Sequence, residues 1–74
     1  MALIKRSITL HGHRTSIALE EDFWEGLEEL ASLSGKSIAA VVAEIDDTRD
    51  PDAGLSSCVR LAVLRHYKAL KTAS

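Results

Sequence analysis

"GHRTSIALEEDFWEGLEEL", from Gly12 to Leu30, passes from a strand-like pattern to a helix-like pattern with no linker between them. Thr15, Ile17 and Leu19 alternate with polar or small residues. This alternation is typical of a half-buried β-strand, in which every second side chain faces the core. The first part of the stretch therefore predicts a strand that ends where the acidic residues begin.

The acidic residues mark the start of a helix. Glu20, Glu21 and Asp22 would lie in its first turn, where negative charge interacts favourably with the helix N-terminus. Apolar residues then recur with helical spacing and predict one buried stripe, with Trp24 on its flank. The stripe consists of Phe23, Leu27, Leu30, Ala31 and Ser34. We predict this helix over residues 20–34.

The segment before the strand also alternates, which gives residues 1–19 two interpretations. A two-residue turn at His11-Gly12 would make a β-hairpin and set Leu10 opposite His13. The polar residues then pair with one another and the apolar residues do the same, apart from Arg6. The expected pairs are Thr9 with Arg14, Ser7 with Ser16, Lys5 with Ala18, Ile8 with Thr15, Arg6 with Ile17 and Ile4 with Leu19. In the other interpretation, residues 1–12 form a loose arm.

The rest of the chain predicts two more helices. Gly35 can end the first helix in the left-handed conformation, and Ser37 can cap a second helix over residues 37–47. This helix is apolar on several sides, which predicts burial by more than one neighbour at the centre of a dimer. The Asp, Pro and Gly content of residues 48–54 is typical of a loop. A third helix is predicted over residues 55–71.

The size and composition favour a small domain with a partner subunit. The 74 residues suffice for one domain, predicted over 1–74, and a chain this short buries too little surface for high stability alone. Cys58 is the only cysteine, which excludes an internal disulfide and favours the reducing cytoplasm. The chain shows no leader and no long apolar run, so we expect no membrane association.

The charge is distributed unevenly along the chain. The net charge is −2, but residues 1–19 carry three bases and no acid, while residues 20–35 carry six acids and no base. Residues 36–54 are acidic again, and residues 55–74 carry four bases without an acid. Both ends are therefore basic and the middle is acidic, and this placement matters more for binding than the net charge does.

The order of strand, acidic helix, Gly-Lys-Ser turn and buried helix resembles the ribbon-helix-helix family of small dimeric DNA-binding proteins. "RTSIAL" is similar to the ribbon, "EEDFWEGLEELASLSG" to the first helix and "KSIAAVVAEI" to the second. The two stretches "GHRTSIALEEDFW" and "GLSSCVRLAVLRHY" together are similar in sequence to an uncharacterised bacterial branch of the family. The resemblance implies a mostly α homodimer with a short N-terminal β-ribbon, here with an extra C-terminal helix.

The resemblance also implies a DNA-binding surface. In the family, one strand from each subunit pairs to form a ribbon that enters the major groove of double-stranded DNA. The positions that face the bases match Arg14, Ser16 and Ala18. An arginine can donate two bonds to guanine, a serine can donate or accept, and an alanine can touch the thymine methyl. Lys36 and Ser37 match the helix N-terminus that anchors DNA phosphates.

The sequence and the resemblance lead to two alternative hypotheses about function. The first is a transcriptional regulator or antitoxin-like repressor of the bacterial cytoplasm. The alternative is a dimeric protein-protein interaction module with the same fold, which a well-formed hairpin over residues 3–10 would favour. We expect no enzyme and no cofactor, because no nucleophile, base and orienting group occur together. His11 and His13 supply too few ligands for a metal.

Overall fold

The computed structural model of the chain describes residues 2–72, in which two strands precede three helices. The elements are β1 (Leu3–Leu10), β2 (His13–Glu20), α1 (Glu21–Ser34), α2 (Ile38–Thr48) and α3 (Leu55–Thr72). Met1, Ala73 and Ser74, which the predicted domain 1–74 includes, lie outside the described residues. This confirms the predicted fold class of a short N-terminal β-ribbon, a mostly helical chain and an extra C-terminal helix.

The two strands form an antiparallel hairpin in the predicted register. Leu10 lies opposite His13, and the pairing continues residue by residue to Leu3 opposite Glu20. The turn residues His11 and Gly12 have φ angles of 52° and 79°, and a two-residue turn with both φ angles positive matches the twist of the strands. The hairpin interpretation is therefore confirmed, and the loose-arm interpretation is wrong.

One face of the hairpin packs against the helices. Its buried side chains are at most 8% exposed: Ile8, Leu10, Ile17 and Leu19. Arg6 shares this face but does not enter the core. Its guanidinium carbon lies 4.5 Å from the centroid of the Trp24 ring, and Nη1 donates to Glu28 Oε1 at 3.0 Å. An arginine on the otherwise apolar face of the hairpin is thus accommodated by an aromatic ring and a carboxylate, both on α1.

The buried stripe of α1 differs from the predicted one. Leu27 and Ala31 are buried as expected, but Ser34 is exposed, so its assignment to the stripe was wrong. Trp24, predicted on the flank, is only 1% exposed. The hairpin explains this difference, because the Trp24 Nε1 group donates a 2.8 Å hydrogen bond to the carbonyl of Ile4 on β1. The stripe is centred closer to Trp24 than helical spacing alone predicted.

A tight turn joins α1 to α2. Gly35 has a φ of 69°, the left-handed conformation predicted for it, and its N–H donates to the carbonyl of Ser32 at 3.1 Å. Ser37 caps α2 as predicted, because its Oγ accepts from the Ala40 N–H at 3.1 Å.

Val42 of α2 and Val59 of α3 are fully buried, so α2 and α3 complete the core. None of the helices described in residues 2–72 is sufficiently long and apolar to cross a membrane.

Candidate nucleic-acid interface

The hairpin has a second face, which points away from the helices. Successive side chains of a strand point to opposite sides, so the register assigns three opposed pairs to this surface. The pairs are Lys5 with Ala18, Ser7 with Ser16 and Thr9 with Arg14. We call these six residues the outer face. Ala18 is partly buried and the other five are exposed.

The outer face is polar, basic and free of acidic side chains. Lys5 and Arg14 take no part in the ion pairs formed among residues 2–72, whereas Arg6, Lys36, Arg49 and Arg60 each contact a carboxylate. The cations of the outer face are thus available to an external anion. Serine and threonine hydroxyls between them can donate or accept hydrogen bonds. Such a surface is chemically suited to phosphate oxygens and to base edges.

The end of the outer face near α1 is electrically neutralised. Glu20 is the next residue in the same alternation after Ala18, and it carries the one carboxylate adjoining the face in the described hairpin. The Nε of Arg60 on α3 donates to its Oε1 at 2.9 Å. This hydrogen bond lowers the pKa of the Glu20 carboxyl below its usual value. Arg60 therefore cancels a negative charge that would oppose the approach of a polyanion.

Lys36 and Ser37 lie at the N-terminus of α2, as the resemblance implies, but both side chains have partners within the chain. The Nζ of Lys36, two residues before the start of α2, lies 2.7 Å from Glu44 Oε1 on that helix. Ser37 Oγ is occupied by the cap to Ala40. No hydrogen bond or ion pair between described residues joins this site to the outer face. Glu44 therefore partly neutralises the Lys36 ammonium at the place where a phosphate would bind.

The tip of the hairpin contacts the end of α2 through the side chains of His11 and Asp47. His11 Nε2 lies 2.8 Å from Asp47 Oδ1, and Arg49 Nε lies 2.7 Å from Asp46 Oδ1. The ligand atoms of His11, Asp46 and Asp47 are all within 4.8 Å of one another, close enough to hold a metal ion. Arg49 opposes this use, because its guanidinium already neutralises Asp46 and would repel a cation. We therefore interpret these residues as a structural contact that holds the hairpin tip against the end of α2.

The sequence identified only half of the outer face as a candidate site. Arg14, Ser16 and Ala18 lie together on β2 with the predicted outward direction. The residues opposite them on β1 were assigned no function, because the resemblance supplies the second strand of the ribbon from another subunit. The signal for them was present in the hairpin register, which sets Lys5, Ser7 and Thr9 on the same face.

Comparison with known proteins now identifies the class of this chain. Residues 3–67 match the family described as the ribbon-helix-helix domain, and the chain belongs to that family. Its structure is similar to that of an uncharacterized protein from Bordetella pertussis Tohama I, with 33% sequence identity and a TM-score of 0.79. The similarity covers 96% of this chain and 59% of that protein, so this chain spans about three fifths of the other's length. No curated protein gives a significant match.

Proposed function

We propose that the protein is a sequence-reading, double-stranded DNA-binding regulator of the repressor or antitoxin type, which acts as a homodimer in the bacterial cytoplasm. The proposed function is binding without catalysis. The observation that carries it is the outer face, where Arg14 is exposed, has no ion-pair partner among residues 2–72 and shares a polar, acid-free surface with Ser16. Membership of the ribbon-helix-helix family supports the same class of function.

Each proposed contact has a chemical role. Arg14 would donate two hydrogen bonds to a guanine, Ser16 would donate to or accept from a base, and Ala18 would contact a thymine methyl. Lys36 and Ser37, at the N-terminus of α2, would bind phosphates and fix the position of the protein along the duplex. The acidic side chains of α1 would repel DNA that approaches from their side. The duplex would therefore have to approach the protein at the outer face.

A homodimer would give the small chain a larger core. Large apolar side chains remain exposed on the helices, among them Leu33 at 65%, Leu64 at 50% and Leu61 at 45%. Covering such side chains removes apolar area from water and stabilises the assembly. Sedimentation of the purified chain tests the dimer directly, and a dimer is expected at micromolar concentration.

Fluorescence anisotropy tests DNA binding. Labelled random-sequence duplex is titrated with the protein at low and at moderate salt, and the affinity is expected to fall steeply with salt because phosphate contacts release counterions. A duplex selected for tight binding is then titrated with Arg14→Ala, which is expected to lose base preference. Arg65→Ala is the matched control, since Arg65 is an exposed arginine on α3. Equal binding of the selected site by Arg14→Ala and the parent would overturn the role of Arg14.

A second candidate function has one specific observation in its favour. The hairpin is well formed over Leu3–Leu10, and a sheet widened in this way favours a dimeric protein-protein interaction module that does not bind DNA. The same titration separates the two functions. A folded dimer that fails to bind duplex even at low salt would support the interaction module and exclude the regulator.

A further inference from the structure

We propose that the groove between α2 and α3 binds a small amphipathic carboxylate, of the chemistry of an aromatic or short aliphatic monocarboxylic acid. The groove has a volume of about 210 Å³, and its lining comes from α2, from Arg49 directly after α2 and from α3. It shares no residue with the outer face. The inference therefore goes beyond the proposed DNA binding and does not depend on it.

Part of the groove lining is apolar. Ile45 of α2 and Leu61 and Ala62 of α3 supply aliphatic surface, and Leu61 is 45% exposed. An apolar group bound here would remove such surface from water, which favours a ligand with an apolar part. An enclosed aliphatic cavity of about 150 Å³ holds one benzene molecule. The groove therefore has room for one aromatic ring or a short carbon chain, together with a polar group.

The polar part of the lining is positively charged. Arg49 and Arg65 both line the groove, and Thr48 adds a hydroxyl. None of the described residues that line the groove is acidic. An anion in the groove would thus meet two guanidinium groups and no lining residue of its own charge, which gives the site its preference for a negative ligand.

The two arginines contribute differently. Arg49 is held in place but partly neutralised, because its Nε lies 2.7 Å from Asp46 Oδ1 and its Nη1 donates to the Ala53 carbonyl at 2.6 Å. Arg65 is exposed and takes no part in the ion pairs formed among residues 2–72. A carboxylate can therefore bind Arg65 without displacing an internal partner, and a guanidinium can donate two parallel hydrogen bonds to it. We assign Arg65 as the anchor and Arg49 as a second, ordered cation.

The combination of charge and apolar surface selects among ligands. Inorganic phosphate would pair with Arg65 but would leave the apolar lining in water. A neutral aromatic molecule would cover that lining but would leave the Arg65 guanidinium without a counter-ion. A monocarboxylate with one ring or a short chain satisfies both parts, as ligands do in sites that combine an apolar lining with a few polar groups.

Benzoate is the test probe, and benzamide is its neutral control of nearly the same size. The isotope-labelled full chain is titrated with each probe, and the amide signals are followed by NMR. We expect benzoate to bind with a dissociation constant on the order of 1 mM and about tenfold more tightly than benzamide. The largest signal changes should fall on groove residues such as Thr48 and Leu61. Equal affinity for benzoate and benzamide, or for benzoate and inorganic phosphate, would overturn the proposal.

Arg65→Gln tests the anchor, because it removes the charge and keeps a long polar side chain. Its affinity for benzoate should fall about tenfold, while its affinity for benzamide should stay as in the parent. Lys5→Gln is the control, since it removes one charge at an exposed position of the hairpin, outside the groove. It should bind benzoate as the parent does. Equal losses in the two variants would mean that benzoate responds to net charge alone, which contradicts a built site.

Cys58 reports on the groove by an independent route. It is the only cysteine of the chain, it is free, and it lines the groove. Saturating benzoate should slow its alkylation by iodoacetamide in the parent, whereas the same concentration of benzamide should not. In Arg65→Gln that concentration of benzoate should protect Cys58 much less. Alkylation of the parent at the same rate with and without benzoate would exclude the groove as the binding site.

Sedimentation tests the other possible occupant, a second copy of this chain. Benzoate is expected to leave the oligomeric state unchanged, because the ligand occupies a groove within one protomer. Dissociation of a dimer by benzoate would show that two copies meet at the groove, and would overturn the proposal. Each of these measurements can be made without DNA, so failure of the proposed DNA binding would leave their outcomes unaffected.

Discussion

Arg6 lies over the ring of Trp24, with its guanidinium carbon 4.5 Å from the ring centroid, and it thereby joins the first strand to the first helix. Its Nη1 also contacts Glu28 at 3.0 Å, and the two side chains of this ion pair are 43% and 49% exposed. Exposed pairs of this kind contribute modestly one by one. The stacking and the ion pair act together here, because both use the same guanidinium.

Replacing Arg6 should therefore destabilise the hairpin. We expect Arg6→Ala to lower the free energy of unfolding by about 1 kcal/mol, from the loss of the cation–π contact and the ion pair. Urea denaturation monitored by the fluorescence of Trp24, the only tryptophan, measures the change. Lys5→Ala is the control on the opposite face of the same strand and should change stability little. Equal losses in the two variants would contradict the account.

Gly26 allows α1 and α3 to approach closely. A Cβ at this position would lie 2.6 Å from Val63 Cγ1 and 3.2 Å from Tyr67 Cε2, and Val63 is in the core at 3% exposure. Overpacking costs about 1–3 kcal/mol, while the gain in helix propensity over glycine returns about 1 kcal/mol. We expect Gly26→Ala to be destabilising by about 1 kcal/mol, as measured by thermal or urea unfolding.

A double variant tests the cause of this loss. Val63→Ala removes the side chain that the new methyl group would meet, so Gly26→Ala should cost less in that background than in the parent. A cost that is the same in both backgrounds would show that the contact with Val63 is not responsible.

The ion pair between Glu20 and Arg60 predicts a dependence of stability on pH. The Arg60 hydrogen bond lowers the pKa of Glu20 in the folded chain relative to its ordinary value of 4.5. The stabilisation is therefore present above that ordinary value and is lost as the pH falls through the lowered one. Glu20→Gln should remove this part of the acid-induced loss in urea midpoints measured from neutral to acidic pH. Glu21→Gln, next to it in sequence, should leave the acid profile as in the parent.

The cap at Ser37 predicts a stability change that is separate from DNA binding. Its Oγ accepts the N–H of Ala40 at 3.1 Å, so Ser37→Ala should lower the free energy of unfolding by about 1 kcal/mol. Ser37→Gly should cost only a few tenths of a kcal/mol (about 0.3). Ser34→Ala, at an exposed serine near the end of α1, is the control and should be nearly neutral. Ser37→Ala matching this control in urea unfolding would exclude the cap as a stabilising contact.

The features that the sequence determined by itself are local. Alternation in the strands and a two-residue turn at His11-Gly12 predicted the hairpin register from Leu10 opposite His13 to Ile4 opposite Leu19, because every pair follows once the turn is fixed. The same pattern left a loose arm over residues 1–12 open, and the structure decided between the two. The left-handed Gly35 and the cap at Ser37 were also predictable, since each depends on groups within a few residues. The same alternation gave the outward direction of Arg14 and Ser16, although their role in DNA binding stays a proposal.

The tertiary structure decided which element covers each surface. Periodicity shows which side chains share a face but not what packs against them, so it placed Trp24 on the flank of the stripe although this side chain is fully buried. The contact of Gly26 with Val63 depends on how α3 crosses α1. The pairing of Glu20 with Arg60 joins residues 40 positions apart, whose distance no local pattern encodes. The sequence by itself therefore determined the local structure. The packing of the helices on the hairpin decided which residues the charged and aromatic side chains contact.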